Sequence, residues 1–330
     1  MKNPTISVES LAILHEQLPA LCFDPAADTS TARLPAAQDY LRFYHLHPED
    51  FAHQLQHYLG MIPVAVSGGE KYNIACHYWL HPDARDTAFV VHGYFDHVGL
   101  YGHLIQDLLE RGSNVVAFDL PGHGISDGER ATVASFDHYV EVFDTICERA
   151  SSFLPKPWQA IGQSTGGAIV LKHLLEEELQ KDKEPYAFRQ IALLAPLVHP
   201  RYWGFNRMVY LVAHRLLKKI GRNFVSNSAD QDFVEFVQHA DPLQSRHLPL
   251  EWVGAMKRWT EELEALPSSD FPVTIIQGDK DTTLDWEDNL AILRDKLPRA
   301  LVHILPGAQH QLVNEVEALR KQVFDLVAQD

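Results

Sequence analysis

Ile161-Gly162-Gln163-Ser164-Thr165-Gly166-Gly167 reads Gly-x-Ser-x-Gly. An apolar segment, Trp158-Gln159-Ala160-Ile161, leads in, and a helical pattern from Ala168-Ile169-Val170-Leu171 to Leu175 leads out. That setting predicts a sharp strand-to-helix turn. The glycines suit a bend too tight for side chains, and a serine at its apex is held up at the end of a sheet. The following helix points its N-terminal N–H groups back toward the serine, where they can meet developing negative charge. The bare pattern also turns up in ordinary Gly-rich turns. The reading therefore rests on what the rest of the chain places around it.

Outward from that turn, short apolar strands alternate with helical patterns. On the N-terminal side, Thr87–Val91 is continuously apolar, as in a parallel strand buried on both faces, and runs into His92-Gly93-Tyr94-Phe95-Asp96-His97. A helix over 100–111 is closed by Gly112. The strand Asn114–Phe118 ends at Asp119-Leu120-Pro121-Gly122-His123-Gly124, and a helix follows over 135–152. On the C-terminal side come strands over 190–194, 273–276 and 301–305, with helices over 286–297 and 315–328. Alternation of this kind implies a mostly parallel sheet with right-handed crossovers and helices on both faces. Chemistry in such sheets gathers at the carboxyl ends of the strands. Gly93-Tyr94, Asp119, Ser164, Asp281 and the loop Pro306-Gly307-Ala308-Gln309-His310 all fall there.

The 330 residues can form one large domain or one domain with an insertion. Apolar residues make up 46% and charged residues 22%, an ordinary globular composition. A net charge of −16 argues against general nucleic-acid binding. Cys22, Cys76 and Cys147 form no close pair, and suit buried thiols in a reducing compartment. Without a secretory-type leader or an 18-residue apolar run, the expected location is the cytoplasm, with peripheral membrane contact left open.

Residues 1–60 read as a helical lead-in. Pro48 suits a first turn, Phe51, Leu55, Tyr58 and Leu59 repeat at helical spacing, and Gly60 would end the helix. His53 and His57 are four apart, but no glutamate follows His53, so they are assigned to a helix face and not to a metal site. Strands at 61–66 and 73–80 then flank Ser67-Gly68-Gly69-Glu70 as a hairpin.

A serine hydroxyl needs a base within hydrogen-bond reach, and the base needs an orienting carboxylate. The chain supplies Ser164, then Asp281, then His310. Asp279 and Asp285 are rivals for the carboxylate, and His92 is a rival base placed before its turn. The oxyanion would be met by the backbone N–H of Thr165 and a second from the loop after Thr87–Val91, that of Tyr94. Asp119 and His123 read as loop-fixing hydrogen bonders.

Together, His92-Gly93 with Asp96-His97 and Tyr101, the run Asp119 to Ser126, Gly162 to Gly166, Gln277 to Asp281, and Gly307 to His310 with Asn314-Glu315 resemble one family. It is the α/β-hydrolase branch of monoglyceride lipases and bacterial lysophospholipases, often labelled serine aminopeptidase-like. The resemblance covers about 61–328, and Pro121 stands where many members carry Arg. It implies an α/β-hydrolase core over 61–195 and 268–330, a helical cap over 196–267, and the triad and oxyanion donors already named. It also implies a serine ester hydrolase that needs no metal or organic cofactor, acting on a small-molecule ester such as a monoacylglycerol or lysophospholipid. A peptidase, and a ligand-binding protein on the same fold, are the alternatives. Oligomeric state is not legible.

From just before the expected cap into it, 185–229 holds no Asp or Glu but carries Arg189, Arg201, Arg207, Arg215, Lys218, Lys219 and Arg222. Phe205, Met208, Val209, Val212, Leu216 and Ile220 recur at helical spacing, which predicts one basic amphipathic helix. It would pack on the domain or meet a lipid surface or anionic head group.

Overall fold

The computed structural model describes residues 6–27, 34–47, 49, 51, 55–180 and 187–329. Two helices, α1 (Val8–Gln17) and α2 (Pro35–Phe43), precede a hairpin of β1 (Gln56–Ala65) and β2 (Lys71–Leu80). Then follow β3 (Thr87–Val91), α3 (Gly102–Glu110), β4 (Asn114–Phe118), α4 (Phe136–Ala150), β5 (Trp158–Gln163), α5 (Thr165–Glu177) and β6 (Phe188–Leu194). After an insertion the core resumes with β9 (Val273–Gly278), α9 (Trp286–Lys296), β10 (Leu301–Leu305) and α10 (Glu317–Val327). The eight core strands form one sheet in the order β1-β2-β4-β3-β5-β6-β9-β10. It is parallel from β4 to β10, and β2 is antiparallel to both neighbours.

Period-two alternation explains why the central strands read as unbroken apolar runs. Phe89 and Val91 of β3, with Val116 and Phe118 of β4, join the core on one face under α4 and α5. Ala88, Val90, Val115 and Ala117 join the core on the other, under α1, α2, α3 and α10. Both faces are covered, so neither residue parity can be polar.

The expected strands at 87–91, 114–118 and 301–305 match the structure at both ends. The hairpin at 67–70 is also present, with Gly68 and Gly69 at φ 79° and 89°. The expected helix ending at Gly60 is not: residues 56–65 are strand β1. Leu55, Tyr58 and Leu59 mimic a helical repeat, but along β1 Tyr58 and Ile62 face one core while Leu59 and Met61 face the other. Gly60 lies where the segment 19–21 crosses β1, and a Cβ there would meet the Pro19 carbonyl oxygen at 2.6 Å. Met61 N donates to Pro19 O and accepts Leu21 N at its own carbonyl. His57 is therefore a buried strand residue and not part of a helix face, bonded to His77 at 3.0 Å. Pro48 and His53 lie outside the described residues.

Between β6 and β9 the chain forms α6 (Trp203–Ala213), β7 (Lys219–Gly221), α7 (Gln231–Glu235), β8 (His247–Pro249) and α8 (Leu250–Ala265). The single helix expected through Ile220 stops at Ala213, because Lys219–Gly221 pairs with His247–Pro249 in a two-stranded ribbon. Strand pairing there overrides the helical repeat. Helix α8 is anchored on the core: Trp259 is buried and donates its indole N–H to Leu197 O at 3.2 Å. Lys172 of α5 bridges Asp137, Glu176 and Glu262 of the insertion.

Candidate active site

The serine turn is as tight as its glycines imply. A Cβ on Gly162 would lie 2.4 Å from Gly166 O, and one on Gly166 would lie 2.0 Å from Val91 O. Ser164 itself has φ 53° and ψ −112°, a strained conformation for a residue with a side chain. Its backbone is pinned on both sides, with its N–H on Leu194 O at 2.8 Å and its carbonyl accepting Leu197 N at 3.0 Å. The hydroxyl is thereby fixed at the carboxyl end of β5.

His310, on the loop after β10, places Nε2 3.0 Å from Ser164 Oγ. Its Nδ1 lies 2.8 Å from Asp281 Oδ2. An ionised carboxylate can only accept, so the proton sits on Nδ1 and Nε2 is left to accept from the serine. Asp281 is held by Thr283 N and Leu284 N on Oδ1, and by Gln277 Nε2 on Oδ2. Burial pushes the His310 pKa down, but the Asp281 charge and hydrogen bond outweigh it and hold the imidazole above its ordinary 6.5. Burial pushes the Asp281 carboxyl up, and His310 with the donors around it brings it below its ordinary value. The structure thus brings together Ser164, Asp281 and His310. It leaves Asp279 holding Gly307 N at 2.7 Å, and Asp285 at the start of α9.

Tyr94 and Thr165 flank the serine. Thr165 opens α5. A Cβ on Gly93 would come within 3.4 Å of the Ser164 Cβ, so the Gly93-Tyr94 loop lies against the serine. The loop is held by a chain of bonds: Gly93 N donates to Tyr101 OH at 2.9 Å, Tyr101 OH donates to Asp96 Oδ2 at 2.9 Å, and Gln311 Nε2 donates to both Asp96 oxygens. The Tyr94 ring stacks on Trp252 of α8 at 3.6 Å, and its OH donates to Ala131 O. His92 is not available as a base. Its Nε2 accepts Leu120 N at 2.9 Å, so its proton is on Nδ1 facing Gly93 O at 2.7 Å, and burial holds its pKa well below 6.5. Asp119 accepts from Val98 N and Ile125 N, as a loop-fixing residue. His123 faces Pro121 O at 2.9 Å through Nδ1.

Three features were not read from the sequence. Gln311 and Asp96 tie the histidine loop to the Gly93 loop; both lie beside motif residues, but their contact spans 215 positions. Glu315 accepts Gln309 N and Ala229 N, joining the histidine loop to the insertion. The irregular segment after β7 reaches the site: Asn227 O accepts both His310 N at 3.1 Å and Gln311 N at 2.8 Å. No motif or repeat marks that segment.

Residues 82–317 match the family described as serine aminopeptidase, S33. The chain belongs to that family of hydrolases. Among its relatives, a monoacylglycerol lipase of Mycolicibacterium smegmatis is 28% identical over 257 residues, covering 74% of this chain and 86% of that protein. The phospholipase YtpA of Bacillus subtilis is 25% identical over 263 residues, covering 74% and 95%. A solved monoglyceride lipase of Saccharomyces cerevisiae, a soluble variant in complex with a substrate analog, superposes with a TM-score of 0.66 at 18% identity, covering 81% of this chain and 93% of that one. The fold is the α/β-hydrolase fold. Among the described residues no helix is long and apolar enough to cross a membrane.

Proposed function

We propose that this protein is a serine carboxylic ester hydrolase acting on single-chain lipid esters, monoacylglycerols or lysophospholipids, through an acyl-enzyme. The observation that carries the reading is the continuous line from Ser164 Oγ through His310 to Asp281, at 3.0 and 2.8 Å. In that mechanism His310 Nε2 takes the Ser164 proton as Oγ bonds to the ester carbonyl carbon. The N–H groups of Tyr94 and Thr165 receive the oxyanion. As the intermediate collapses, the ester C–O bond breaks and His310 gives its proton to the departing alcohol oxygen. Water, deprotonated by His310, then cleaves the acyl-serine, and the fatty acid leaves as the Ser164 hydroxyl is restored. Asp281 holds the tautomer and stabilises the imidazolium.

Relatives that act on monoacylglycerols, or are named phospholipases, support a lipid ester without choosing the leaving group. The insertion supports delivery from a lipid surface. Tyr202, Phe205, Met208 and Leu216 are 65%, 65%, 62% and 80% exposed, far more than buried packing would leave. They sit among Arg201, Arg207, Arg215, Lys218 and Lys219 in a stretch without an acidic residue. In an otherwise acidic protein, a basic apolar face is drawn to an anionic interface. We therefore read 196–267 as a lid and the protein as cytoplasmic, with peripheral membrane contact.

The test is hydrolysis of p-nitrophenyl esters of two to sixteen carbons, with 1-monoacylglycerol and lysophosphatidylcholine alongside and Ser164→Ala as control. Activity rising at medium or long chains, abolished in Ser164→Ala together with fluorophosphonate labelling, supports the reading. No ester activity, or activity that survives Ser164→Ala, refutes it.

A further inference from the structure

We propose that Arg222 is a specificity-determining residue that binds a phosphate-bearing leaving group, so that the preferred ester is a lysophospholipid and not a neutral monoacylglycerol. This deepens the proposed lipid-ester reading and rests on it. Arg222 opens the segment that reaches the site. Its N–H donates to Arg246 O at 3.0 Å, beside the β7–β8 ribbon. Its guanidinium carbon lies 3.9 Å from the ring centre of Phe95, the residue after Tyr94, and 4.3 Å from that of Phe224. Five residues on, Asn227 O grips the amides of His310 and Gln311. The segment therefore runs from the Tyr94 loop to the histidine loop, with Arg222 at the oxyanion end.

The donors of Arg222 are only partly used. Nη1 donates to Gln244 Oε1 at 2.7 Å and to Ser245 O at 3.3 Å. The acids whose fields reach it are committed elsewhere. Asp96 takes Tyr101 and Gln311, and Asp241 takes His97, Tyr44 and Gln244. No carboxylate among the described residues forms an ion pair with Arg222. This leaves the edge made by Nε and Nη2, the side-on fork that matches two oxygens of a phosphate in parallel hydrogen bonds. The rings of Phe95 and Phe224 lie against the guanidinium and cover part of it, which strengthens any charge-assisted bond made there. Burial lowers the Arg222 pKa to about 10, so it stays charged at neutral pH in a place where charge is poorly compensated. Arg246, 5.0 Å from the same Phe224 ring, adds a second cation.

Binding at Arg222 sets a span that the substrate must cover. In a 1-acylglycerol 3-phosphate the phosphorus lies about six covalent bonds, or roughly 7 Å, from the scissile carbonyl carbon. A phosphate there would be held near the oxyanion loop through the acylation step and released with the alcohol. A monoacylglycerol has only a hydroxyl at the same place and would leave the fork without an anion.

The experiment compares kcat/KM for 1-acylglycerol 3-phosphate and 1-monoacylglycerol of one chain length in the same mixed micelles. The ratio is expected to favour the phosphate ester in the wild type and to fall at least about ten-fold in Arg222→Gln, since one well-made bidentate pair is worth a decade or more. Arg222→Lys, which keeps the charge but loses the fork, is expected in between. A ratio that Arg222→Gln leaves unmoved, in a variant whose Tm matches the wild type, overturns the proposal. Calorimetric binding of glycerol 3-phosphate to Ser164→Ala, lost in Ser164→Ala/Arg222→Gln, reads the site without hydrolysis. If that binding is present but no ester is cleaved, the anion site stands and the ester reading falls. If inorganic phosphate binds as tightly as glycerol 3-phosphate and the ratio is flat, the site takes free anions, and the leaving-group assignment is overturned.

Discussion

Asp281→Asn is the perturbation with the sharpest expected outcome, because the structure dictates how the new amide must sit. Oδ1 of Asp281 accepts two backbone N–H groups, those of Thr283 and Leu284, which cannot turn away. An asparagine NH2 in that place would face two fixed donors. The amide nitrogen therefore takes the Oδ2 position, 2.8 Å from His310 Nδ1, where it donates, and the Gln277 side-chain amide, which donates to Oδ2 in the wild type and unlike a backbone N–H can turn, presents its oxygen instead. His310 then carries its proton on Nε2, facing Ser164 Oγ, and can no longer accept the serine proton. The shape is kept and the tautomer is wrong. A loss of about 10⁴ in kcat is expected, about 5 kcal/mol of transition-state stabilisation. The pH profile gives a second reading. The free enzyme needs neutral His310, so its raised pKa sets an acid limb above 6.5, with activity falling as pH drops through it. Without the Asp281 charge that limb moves to lower pH in the residual activity. Measured with a p-nitrophenyl ester across pH 5–9 alongside a melting curve, a folded Asp281→Asn keeping a tenth or more of wild-type kcat would refute the tautomer argument. So would an acid limb that stays where it was.

Gly166→Ala puts a methyl 2.0 Å from a backbone carbonyl that β3 fixes, and is expected to destabilise the protein by about 3 kcal/mol or more in urea titration. His57 is buried, and burial followed by the nearby His47 lowers its pKa to about 3. The unfolded chain therefore binds more protons below pH 6.5, and stability is lost as pH falls from 6.5 toward 3, by about 2 kcal/mol at pH 5. His57→Phe, which keeps the ring beside Trp79, is expected to flatten that part of the stability–pH curve, and an unchanged slope would count against it. Phe205→Glu with Met208→Glu removes two exposed apolar side chains worth about 1.5–3 kcal/mol each on full burial, so binding to anionic vesicles is expected to fall about 100-fold or more. Co-sedimentation equal to wild type at low and high salt would end the lipid-surface reading.

The sheet and the serine turn were legible because their signals are local. Val90 and Phe89 announce a strand covered on both faces, and Gly162, Ser164 and Gly166 announce a turn in which a methyl would strike backbone. What escaped is set by contacts distant in sequence. Leu55, Tyr58 and Leu59 carry the spacing of a helix, and only pairing with β2 and the crossing chain at Pro19 makes 56–65 a strand. Ile220 continues the repeat of α6, yet pairing with Leu248 in the β7–β8 ribbon takes it out of the helix. The segment from Arg222 to Asn227 has no repeat at all, because its hydrogen bonds go to side chains and amides of other loops. Arg222 reads as one more basic residue in a basic stretch. It differs from Arg207 or Arg215 only because Phe95 and Phe224 flank its plane while Gln244 takes one end. A charge count sees a patch that attracts any anion. The fork proposed here beside the Gly93-Tyr94 loop would favour a phosphate attached to the ester being cut, and that distinction exists only once the chain has folded.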